Sequence, residues 1–518
     1  MSPPVVRADS SRTNPRPAWL AAWPTWTVGL AFAAGTALVT VCFLAPRFWL
    51  WPVAGLPLGE FVAIQPEFHR AFHVLRQLAD PWQRIDDPVN RVIEWRLLWP
   101  LVGRTLGLPP AVFLALPHLG CLVALAAVAA TVWRLTHDVL PTAAATLLAA
   151  TASWFFVSTG WLAYFDSWLV LALVLASFGR PRWLLFASGL LAPWIDERFL
   201  FALPLCLAVR ALGIPPDLPP GRRALLHDAA LLLAGVAPYL ALRLGLELSG
   251  LRATSGAYWG ERPLLPASLL VTGWGAWNGL RLGWVALALA VVALPAPRPR
   301  LWLALAAATL AVNLCVADDL SRSVSVGVPL VLAAVLILWH RQPARARRLL
   351  PVLCAGNLLL PAHHIIAAPG TAAAWHFVPV LSLPAECERA RQPPDFAHPE
   401  VYQRRSLDHL QGGRLDRALA AAETGLRFDP HRPKSIANFG IVQVLAGRRT
   451  EGLANLDRAL ALAPDLYDAR LQRAAFRQQN GDSAGALADV REALRLMPPD
   501  WPRRAEAEKF ARALAAGP

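Results

Sequence analysis

The sequence predicts an all-α protein in two parts, a helical bundle that spans a membrane and a stack of helical hairpins after it. Of the 518 residues, 56% are hydrophobic and only 16% are charged, which is more apolar than soluble domains usually are. The apolar residues form runs long enough to cross a bilayer, which takes roughly 20 residues of helix. The end of the chain instead carries glycine, leucine and proline landmarks at a fixed spacing of 34 residues, as stacked repeats do.

About eleven apolar runs are predicted to be membrane spans. They lie near residues 19–44, 109–133, 140–158, 161–178, 182–195, 199–212, 225–247, 277–295, 301–317, 324–340 and 349–367. The predicted transmembrane domain is therefore 19–367, with a tail at 1–18 before it and a linker at 368–398 after it. The first run ends without a small-residue cleavage site, so we interpret it as a retained anchor.

The arginines predict how the bundle is oriented. Every second loop between spans is basic, with Arg134, Arg180, Arg182, Arg222, Arg223, Arg298, Arg300, Arg341, Arg345, Arg347 and Arg348. Basic loops face the cytoplasm, so residues 1–18 are predicted to be cytoplasmic and the repeats extracytoplasmic. The abundance of Ala, Arg, Leu and Pro is typical of a GC-rich bacterial genome, which predicts a bacterial inner membrane. The net charge of +14 belongs to these loops, so no nucleic-acid partner is predicted.

Acidic residues gather on the opposite, outer side of this topology. The predicted cavity-lining residues are Asp166, Asp196, Glu197, Asp318 and Asp319, and Arg198 and Arg322 accompany them. A charge at membrane depth costs at least about 2.5–3.5 kcal/mol unless it is paired or solvated. We therefore predict a polar cavity at the outer face. The simpler alternative is that these acids only end helices at the interface.

The longest outer loop, residues 46–108, contains Glu60, Asp86 and Asp87 between amphipathic segments. His69 and His73 lie four residues apart, which places both imidazoles on one face of a helix, as a divalent metal site requires. Two histidines on a polar face are the alternative, and we assign no metal and no cofactor. The six cysteines form no CxxC pair, so neither a zinc site nor a disulfide framework is predicted.

The repeat spacing defines three units, 399–432, 433–466 and 467–500, followed by a capping helix at 503–516, in a domain of residues 399–518. The landmarks are Gly413, Gly447 and Gly481; Leu419, Leu453 and Leu487; and Pro430, Pro464 and Pro498. With GRLDRAL, GRRTEGL and GDSAGAL at the turns, the pattern resembles the tetratricopeptide repeat. That resemblance implies an α-solenoid whose concave face binds a peptide or a partner protein.

The membrane part resembles the type C glycosyltransferases, which take sugars from polyprenyl-phosphate donors. The resemblance is carried by the architecture of 19–367 and by the segments DPVNRVIEWRLLWPLVGRTLGL, WIDERFLFALPL and ADDLSRSVSVGVPLVL. It implies that a carboxylate of the first outer loop is the base, here Asp86 or Asp87, with Glu60 or Glu67 as substitutes. It also implies that cations near the membrane surface hold the donor phosphate, here Arg198 and Arg322. The family often has an Asp-Glu type motif soon after the first span, whereas this chain has Gly59-Glu60.

Three other classes of protein compete with this interpretation. A non-enzymatic membrane scaffold needs only spans and repeats, and does not require charges against the membrane face. An O-antigen ligase or polymerase is also multi-span, but its long outer loop is expected late in the chain. A transporter is expected to show two similar halves or broken helices at mid-depth.

The orientation can be tested directly. Because the basic loops alternate with the acidic ones, a reporter fused after residue 518 is expected on the extracytoplasmic side. Alkaline phosphatase fused there should be active and green fluorescent protein dark. The same two reporters fused after Arg180, in a predicted inner loop, should give the reverse. A fluorescent C-terminal fusion would contradict the topology.

Overall fold

A computed structural model describes residues 23–50, 69–83, 85, 91–213, 221–249, 268–294, 297–316, 319–368, 371–391, 402–403, 406–407, 409–410, 413–428, 430–499, 501 and 504–516. These residues are predominantly α-helical, and their one sheet is a two-stranded antiparallel hairpin. The predicted all-α class is therefore confirmed for the fold as a whole. The chain separates into two compact units, with the second beginning at Ala385.

The first unit contains most of the helices. They are α1 (Thr25–Phe43), α2 (His69–Ala79), α3 (Leu98–Thr105), α4 (Pro110–Thr136), α5 (Val139–Ala150), α6 (Ser153–Gly160), α7 (Asp166–Phe178), α8 (Trp183–Leu191), α9 (Arg198–Ala211), α10 (Arg222–Leu248), α11 (Leu269–Leu280), α12 (Gly283–Ala293), α13 (Pro297–Val316), α14 (Leu320–Val324), α15 (Val328–Arg341) and α16 (Pro343–Leu359). Strands β1 (Ala362–Ala368) and β2 (Thr371–Phe377) follow, then α17 (Leu383–Arg391).

Membrane-spanning length is reached by only some of these helices. Among the described residues, four helical segments are long and apolar enough to cross a bilayer: α1, α4, α10 and the continuous segment Leu320–Arg341. Two bent pairs, α5 with α6 and α11 with α12, raise the number to six if each is one span. A multi-pass membrane protein is consistent with this, and the count of about eleven stays a prediction. Leu320–Arg341 is central, since 89% of it is buried, against 22% for α10.

The hairpin replaces the end of the last predicted span. Helix α16 ends at Leu359, and Leu360 is already extended with ψ 144°, because a residue that precedes proline is disfavoured in helical conformation. Strand β1 then pairs with β2 in the register Ile365↔Ala374. Residues 362–368 and 371–377 are therefore strand where a helix and a linker were predicted. Ile365 is buried against Leu320. Apolar content alone does not distinguish such a buried strand from a helix.

The second unit is a series of helices joined by short turns. Its helices are α18 (Leu415–Phe428), α19 (Pro433–Leu445), α20 (Arg449–Leu462), α21 (Tyr467–Gln479), α22 (Ser483–Leu496) and α23 (Arg504–Ala516). Gly413, Gly447 and Gly481 precede α18, α20 and α22 with φ of +69°, +86° and +83°, where only glycine is free of strain. Adjacent helices pack together around Ile436, Leu456, Ala459 and Phe476. The repeat bounds 399–432, 433–466 and 467–500 and membership in the tetratricopeptide class stay predictions.

Helices α19 and α20 approach most closely at two glycines. A Cβ atom added to Gly440 would lie 2.7 Å from the carbonyl oxygen of Gly452, which is backbone and cannot move aside. We therefore expect Gly440→Val to separate the two helices and to lower the unfolding free energy of this unit by about 1–3 kcal/mol. The midpoint of pulse proteolysis in urea, measured on the full chain in detergent, reports this. Ala461→Val, at an exposed position of α20, is the control. Equal midpoints for the two variants would contradict the close packing.

Candidate functional site

Four arginines and four acids converge in the first unit, and we call them the acid–arginine cluster. Its members are Arg70, Arg96, Asp166, Asp196, Glu197, Arg198, Asp319 and Arg322. They lie where helices begin or end. Asp166 and Arg198 are the first residues of α7 and α9, and Arg96 directly follows a 3-10 turn at Arg91–Trp95. Most of these charges therefore lie at or next to helix ends, and Arg322 lies within the five-residue helix α14.

Two glycines of α11 position Arg322. A Cβ atom added to Gly275 would lie 2.4 Å from the Cβ of Leu320, and one added to Gly279 would lie 2.8 Å from the carbonyl oxygen of Ser321. Helix α14 therefore packs directly on the backbone of α11. This contact fixes Arg322 at the beginning of the most buried helical segment.

Asp196 is the centre of the cluster. Arg198 donates two hydrogen bonds to it, from Nε to Oδ1 and from Nη2 to Oδ2, each 2.8 Å long. Arg322 Nη2 and Arg96 Nη1 both lie 2.9 Å from the same Oδ2 atom. The side chain is only 2% exposed. One buried carboxylate thus pairs with arginines from three separate segments of the chain.

Asp166 shares two of those arginines. Its Oδ1 atom accepts a hydrogen bond from Arg322 Nε at 2.7 Å and another from Arg198 Nη2. Within the described residues, Asp166 Oδ2 and Arg198 Nη1 are buried without a hydrogen-bond partner. Glu197 is at the edge of the cluster, where it accepts from Arg96 Nε and Nη2 at 3.2 Å.

Neighbouring charges keep Asp196 and Arg96 ionised. Burial alone raises the pKa of Asp196, but the charges of Arg198 and Arg96 outweigh burial and hold that pKa well below its usual range. Burial alone lowers the pKa of Arg96, and the charges of Asp196 and Glu197 reverse this and raise it. Removing one partner would therefore leave a buried charge uncompensated, which is expensive.

Arg70 differs from the other three arginines. Its guanidinium lies over the ring of Tyr164, 4.2 Å from the centroid. Of the residues that the structure describes, none offers Arg70 a carboxylate within 4.0 Å, and its Nε is buried without a hydrogen-bond partner. Burial, together with the charges of Arg322 and Arg96, lowers the pKa of Arg70 to about 10. Among the described residues, Arg70 is thus a buried cation without a paired anion.

A small space lies beside Arg70. It is lined by Arg70, Val74, Gln77, Ile93, Arg96, Ala163, Phe165, Ile195, Asp196 and Arg322. Its volume is about 10 Å³, close to what one water molecule needs. Three of the four arginines of the cluster therefore face one cavity, with one aspartate among them.

Strand β1 borders the cluster on another side. His364 is buried between Trp161 and Trp375, at centroid distances of 4.8 Å and 5.8 Å. Its Nδ1 lies 3.0 Å from Ser321 Oγ, and its Nε2 lies 3.6 Å from Asp319 Oδ1. Asp319 also lies 3.4 Å from Arg322 Nη1 and is 15% exposed, the least buried of the aspartates described in the cluster.

The structure brings together most of the predicted cavity residues. Asp166, Asp196, Asp319, Arg198 and Arg322 are linked by the ion pairs above, and Glu197 joins them through Arg96. Asp318, Asp86, Asp87, Glu60 and Glu67 lie outside the described residues, as does the side chain of His69. Throughout the described part of the chain, no group of three or more metal-ligating side chains occurs. Arg198 and Arg322, predicted to hold a phosphate, are both paired with Asp166 and Asp196 here.

Sequence reasoning missed Arg70, Arg96, Tyr164 and His364. The two arginines lie in segments that periodicity identified only as amphipathic, and His364 was assigned to the last span. The available signal was charge balance, because buried acids require cations from somewhere else in the chain. The partners are far apart in the chain: Arg96 and Glu197 are separated by 101 residues, and Arg322 and Asp166 by 156. Such pairs produce no local pattern in the sequence.

The comparisons with known proteins do not assign this fold or site. No model of a known protein family matches the chain, and no curated protein matches it. What the cluster does is therefore argued from its chemistry.

Two neighbouring acids allow the cluster to be tested. Asp196→Asn leaves three arginines without their shared carboxylate, so we expect it to lower the unfolding free energy by about 3–5 kcal/mol. Glu197→Gln removes only the partly exposed partner of Arg96 and should cost about 1 kcal/mol. Thermal unfolding of the detergent-solubilised chain measures both. Since the folded pKa of Asp196 is lowered, its contribution is present above its ordinary pKa of 3.8 and is lost only in stronger acid. Equal melting temperatures for the two variants would show that Asp196 is not the centre.

Proposed function

We propose that the chain is a multi-pass membrane glycosyltransferase that transfers a sugar from a polyprenyl-phosphate donor to an extracytoplasmic acceptor. The single observation that carries the proposal is the buried acid–arginine cluster with Arg70 left without a paired anion. The proposal includes a bacterial inner membrane, a cytoplasmic N-terminus, about eleven spans and an extracytoplasmic tetratricopeptide tail.

The cost of the cluster supports a functional site. Every buried ion loses several kcal/mol of hydration, and a well-packed apolar core of similar volume is often at least as stable as a buried ion pair. Eight charged side chains in one part of an apolar bundle are therefore a poor way to stabilise it. Charges at such a place usually mark a binding site or a path for a polar substrate.

The arginines suit an anionic substrate. Arg70, Arg96 and Arg322 line one cavity, and the pKa of Arg70 is lowered first by burial and then by repulsion from the other two arginines. A phosphodiester oxygen placed there would pair with Arg70 and relieve that repulsion. The same positive charge would stabilise the phosphate as it leaves the sugar. A phosphate is larger than the present cavity, so its binding requires the lining side chains to separate.

The acids that each arginine pairs with indicate which arginines could bind the phosphate. Arg198 is bound to both Asp166 and Asp196, which makes it a positioning residue that holds the two acids. Arg322 makes the same two pairings and also lines the cavity. We therefore assign the phosphate to Arg70 with Arg322. The sequence-based candidates for the base, Asp86, Asp87 and Glu60, lie outside the described residues and stay a prediction.

The helices of the second unit support a binding role for the tail. Three arginines of α21, at positions 470, 473 and 477, lie within 4 Å of Asp489 on α22. Arg473 also reaches Asp457 on α20 at 2.6 Å. Ion pairs that join three consecutive helices keep such a stack rigid, and a rigid stack is what a repeat domain needs to present a surface to a peptide.

Transfer itself is tested with inverted and right-side-out membrane vesicles from cells with and without the chain. The probes are radiolabelled polyprenyl-phosphate glucose and polyprenyl-phosphate mannose, and the readout is label in acceptor glycan or glycoprotein. Mass analysis of surface glycans from the same two strains identifies the acceptor. The proposal requires chain-dependent transfer to the extracytoplasmic side. Absence of any chain-dependent change, with the chain correctly inserted, would favour the scaffold interpretation.

The role of Arg70 has a matched control on the same helix. Arg70→Met removes the cation without a paired anion, so we expect the KM for the polyprenyl-phosphate donor to rise and kcat/KM to fall at least tenfold. Arg70→Lys should restore part of the loss, because a point charge still attracts phosphate. Arg76→Met, at an exposed position of α2, should leave transfer unchanged. Equal activity of Arg70→Met and Arg76→Met would remove the phosphate assignment.

A further inference from the structure

We propose that Asp319 is the general base of this transfer, positioned by His364 and Ser321, in place of the acids of the first outer loop. The inference rests on the proposed glycosyltransferase function and deepens it. Its grounds are the exposure of Asp319, its incomplete pairing, and a hydrogen-bond network that fixes the tautomer of His364.

Asp319 is the described aspartate of the cluster that a substrate reaches most easily. Asp166 and Asp196 are 2% exposed and each pairs with two or three arginines, whereas Asp319 is 15% exposed. A carboxylate held by several short charge-assisted bonds is a weak base. Within the part of the chain that the structure describes, Asp319 has one arginine partner, Arg322 Nη1, at 3.4 Å from Oδ2. It therefore keeps lone pairs that can accept a proton.

The geometry divides the two carboxylate oxygens. Oδ1 is buried and accepts no hydrogen bond from any residue that the structure describes, and it faces His364 Nε2 at 3.6 Å. That leaves Oδ2 as the oxygen for an acceptor hydroxyl to reach. An additional bridge between Asp319 and Ile366 of β1 holds the backbone at this point.

The hydroxyl of Ser321 sets the tautomer of His364. Ser321 Oγ accepts hydrogen bonds from the backbone N–H of Ile365 at 3.0 Å and from Ser153 Oγ at 3.2 Å. Both of its acceptor positions are then used, and its own proton is directed to His364 Nδ1 at 3.0 Å. A neutral imidazole with Nδ1 as acceptor carries its proton on Nε2. Asp319 Oδ1 lies 3.6 Å from that nitrogen, which is longer than a hydrogen bond.

The imidazole stays neutral in this environment. His364 is 1% exposed, and burial lowers its pKa and outweighs the opposing charge of Asp319. The charged groups that act on it are Asp319, Arg322, Asp166 and Arg198. A neutral Nε2–H steadies the carboxylate without taking its proton, which is the role of a positioning residue.

The chemical step is balanced with these groups. The oxygen of the acceptor hydroxyl forms a bond to the anomeric carbon of the sugar, and the bond from that carbon to the phosphate oxygen breaks. The phosphate leaves with the electron pair and is met by Arg70 and Arg322. The hydroxyl proton passes to Asp319 Oδ2, which becomes a carboxylic acid and later releases the proton to solvent.

The test compares carboxamide variants in the vesicle assay. Asp319→Asn is expected to lower kcat about 100-fold or more, with the KM for the donor changed less than threefold, because general bases contribute about 10²–10⁴ in rate. The acidic limb of the kcat–pH profile should disappear with it. Asp228→Asn breaks a buried pair with Arg210, 2.8 Å long, away from the cluster, and should keep both kcat and the pH profile.

The positioning role has its own readout. His364→Gln retains an amide N–H near the place of Nε2, so we expect it to keep kcat within about tenfold of wild type. His364→Leu should lose more than that and should shift the acidic limb to a different pH. Equal kcat and pH profiles for the two variants would mean that His364 acts only in packing.

The outcomes separate the two proposals. If the wild-type chain transfers no sugar, the glycosyltransferase function fails and the inference falls with it. If the wild type is active and Asp319→Asn keeps more than a tenth of kcat, the inference alone fails. If the double variant Asp86→Asn/Asp87→Asn is inactive while Asp319→Asn is active, the base is an acid of the first outer loop. Should Asp319→Asn fail to fold, Asp319→Ser, which also lacks a carboxylate, replaces it, and more than a tenth of the wild-type kcat in that variant overturns the inference.

Discussion

The carboxylate of Asp196 is the interaction on which the rest of the first unit depends. Arg96, Arg198 and Arg322 come from three segments and all end on it, at 2.8–2.9 Å. In a low-dielectric interior an unpaired charge is far more costly than in water. Each arginine therefore constrains the position of the segment that carries it. The turn before α3 (Arg96), the beginning of α9 (Arg198) and helix α14 (Arg322) must all lie next to Asp196.

This electrostatic constraint also explains why the helices are short and broken around the cluster. Charged side chains and turns must reach one place inside an apolar bundle, and continuous spans of about 20 residues would place helix ends at the bilayer surfaces instead. The helices are interrupted at two such places. The axes of α5 and α6 are bent by 58° at their break, and those of α11 and α12 by 82°. Strand β1 also reaches the cluster, where it places His364 Nε2 3.6 Å from Asp319 Oδ1.

The second unit is organised by a different force. Its helices carry small residues where they cross, with Gly440 and Gly452 in near contact and Ala474, Ala486, Ala493 and Ala459 buried. Burial of modest apolar faces between neighbours supplies the stability. The arginines of α21 and Asp489 add a polar link between adjacent helices. Because the same local packing recurs along the second unit, its sequence has a clear 34-residue period. The sequence of the membrane part has no such period.

The sequence by itself determined the features that repeat or recur locally. The α-helical class, the positions of the turn glycines with their positive φ, and part of the cluster, namely Asp166, Asp196, Glu197, Asp319, Arg198 and Arg322, all follow from spacing, chirality and charge placement. Tertiary structure alone decided which arginine pairs with which acid, that no described carboxylate pairs with Arg70, and that residues 362–368 and 371–377 pair as antiparallel strands. The physical reason is that ion pairing and strand pairing join residues far apart in the chain. Hydropathy and local propensity describe only what each segment prefers on its own.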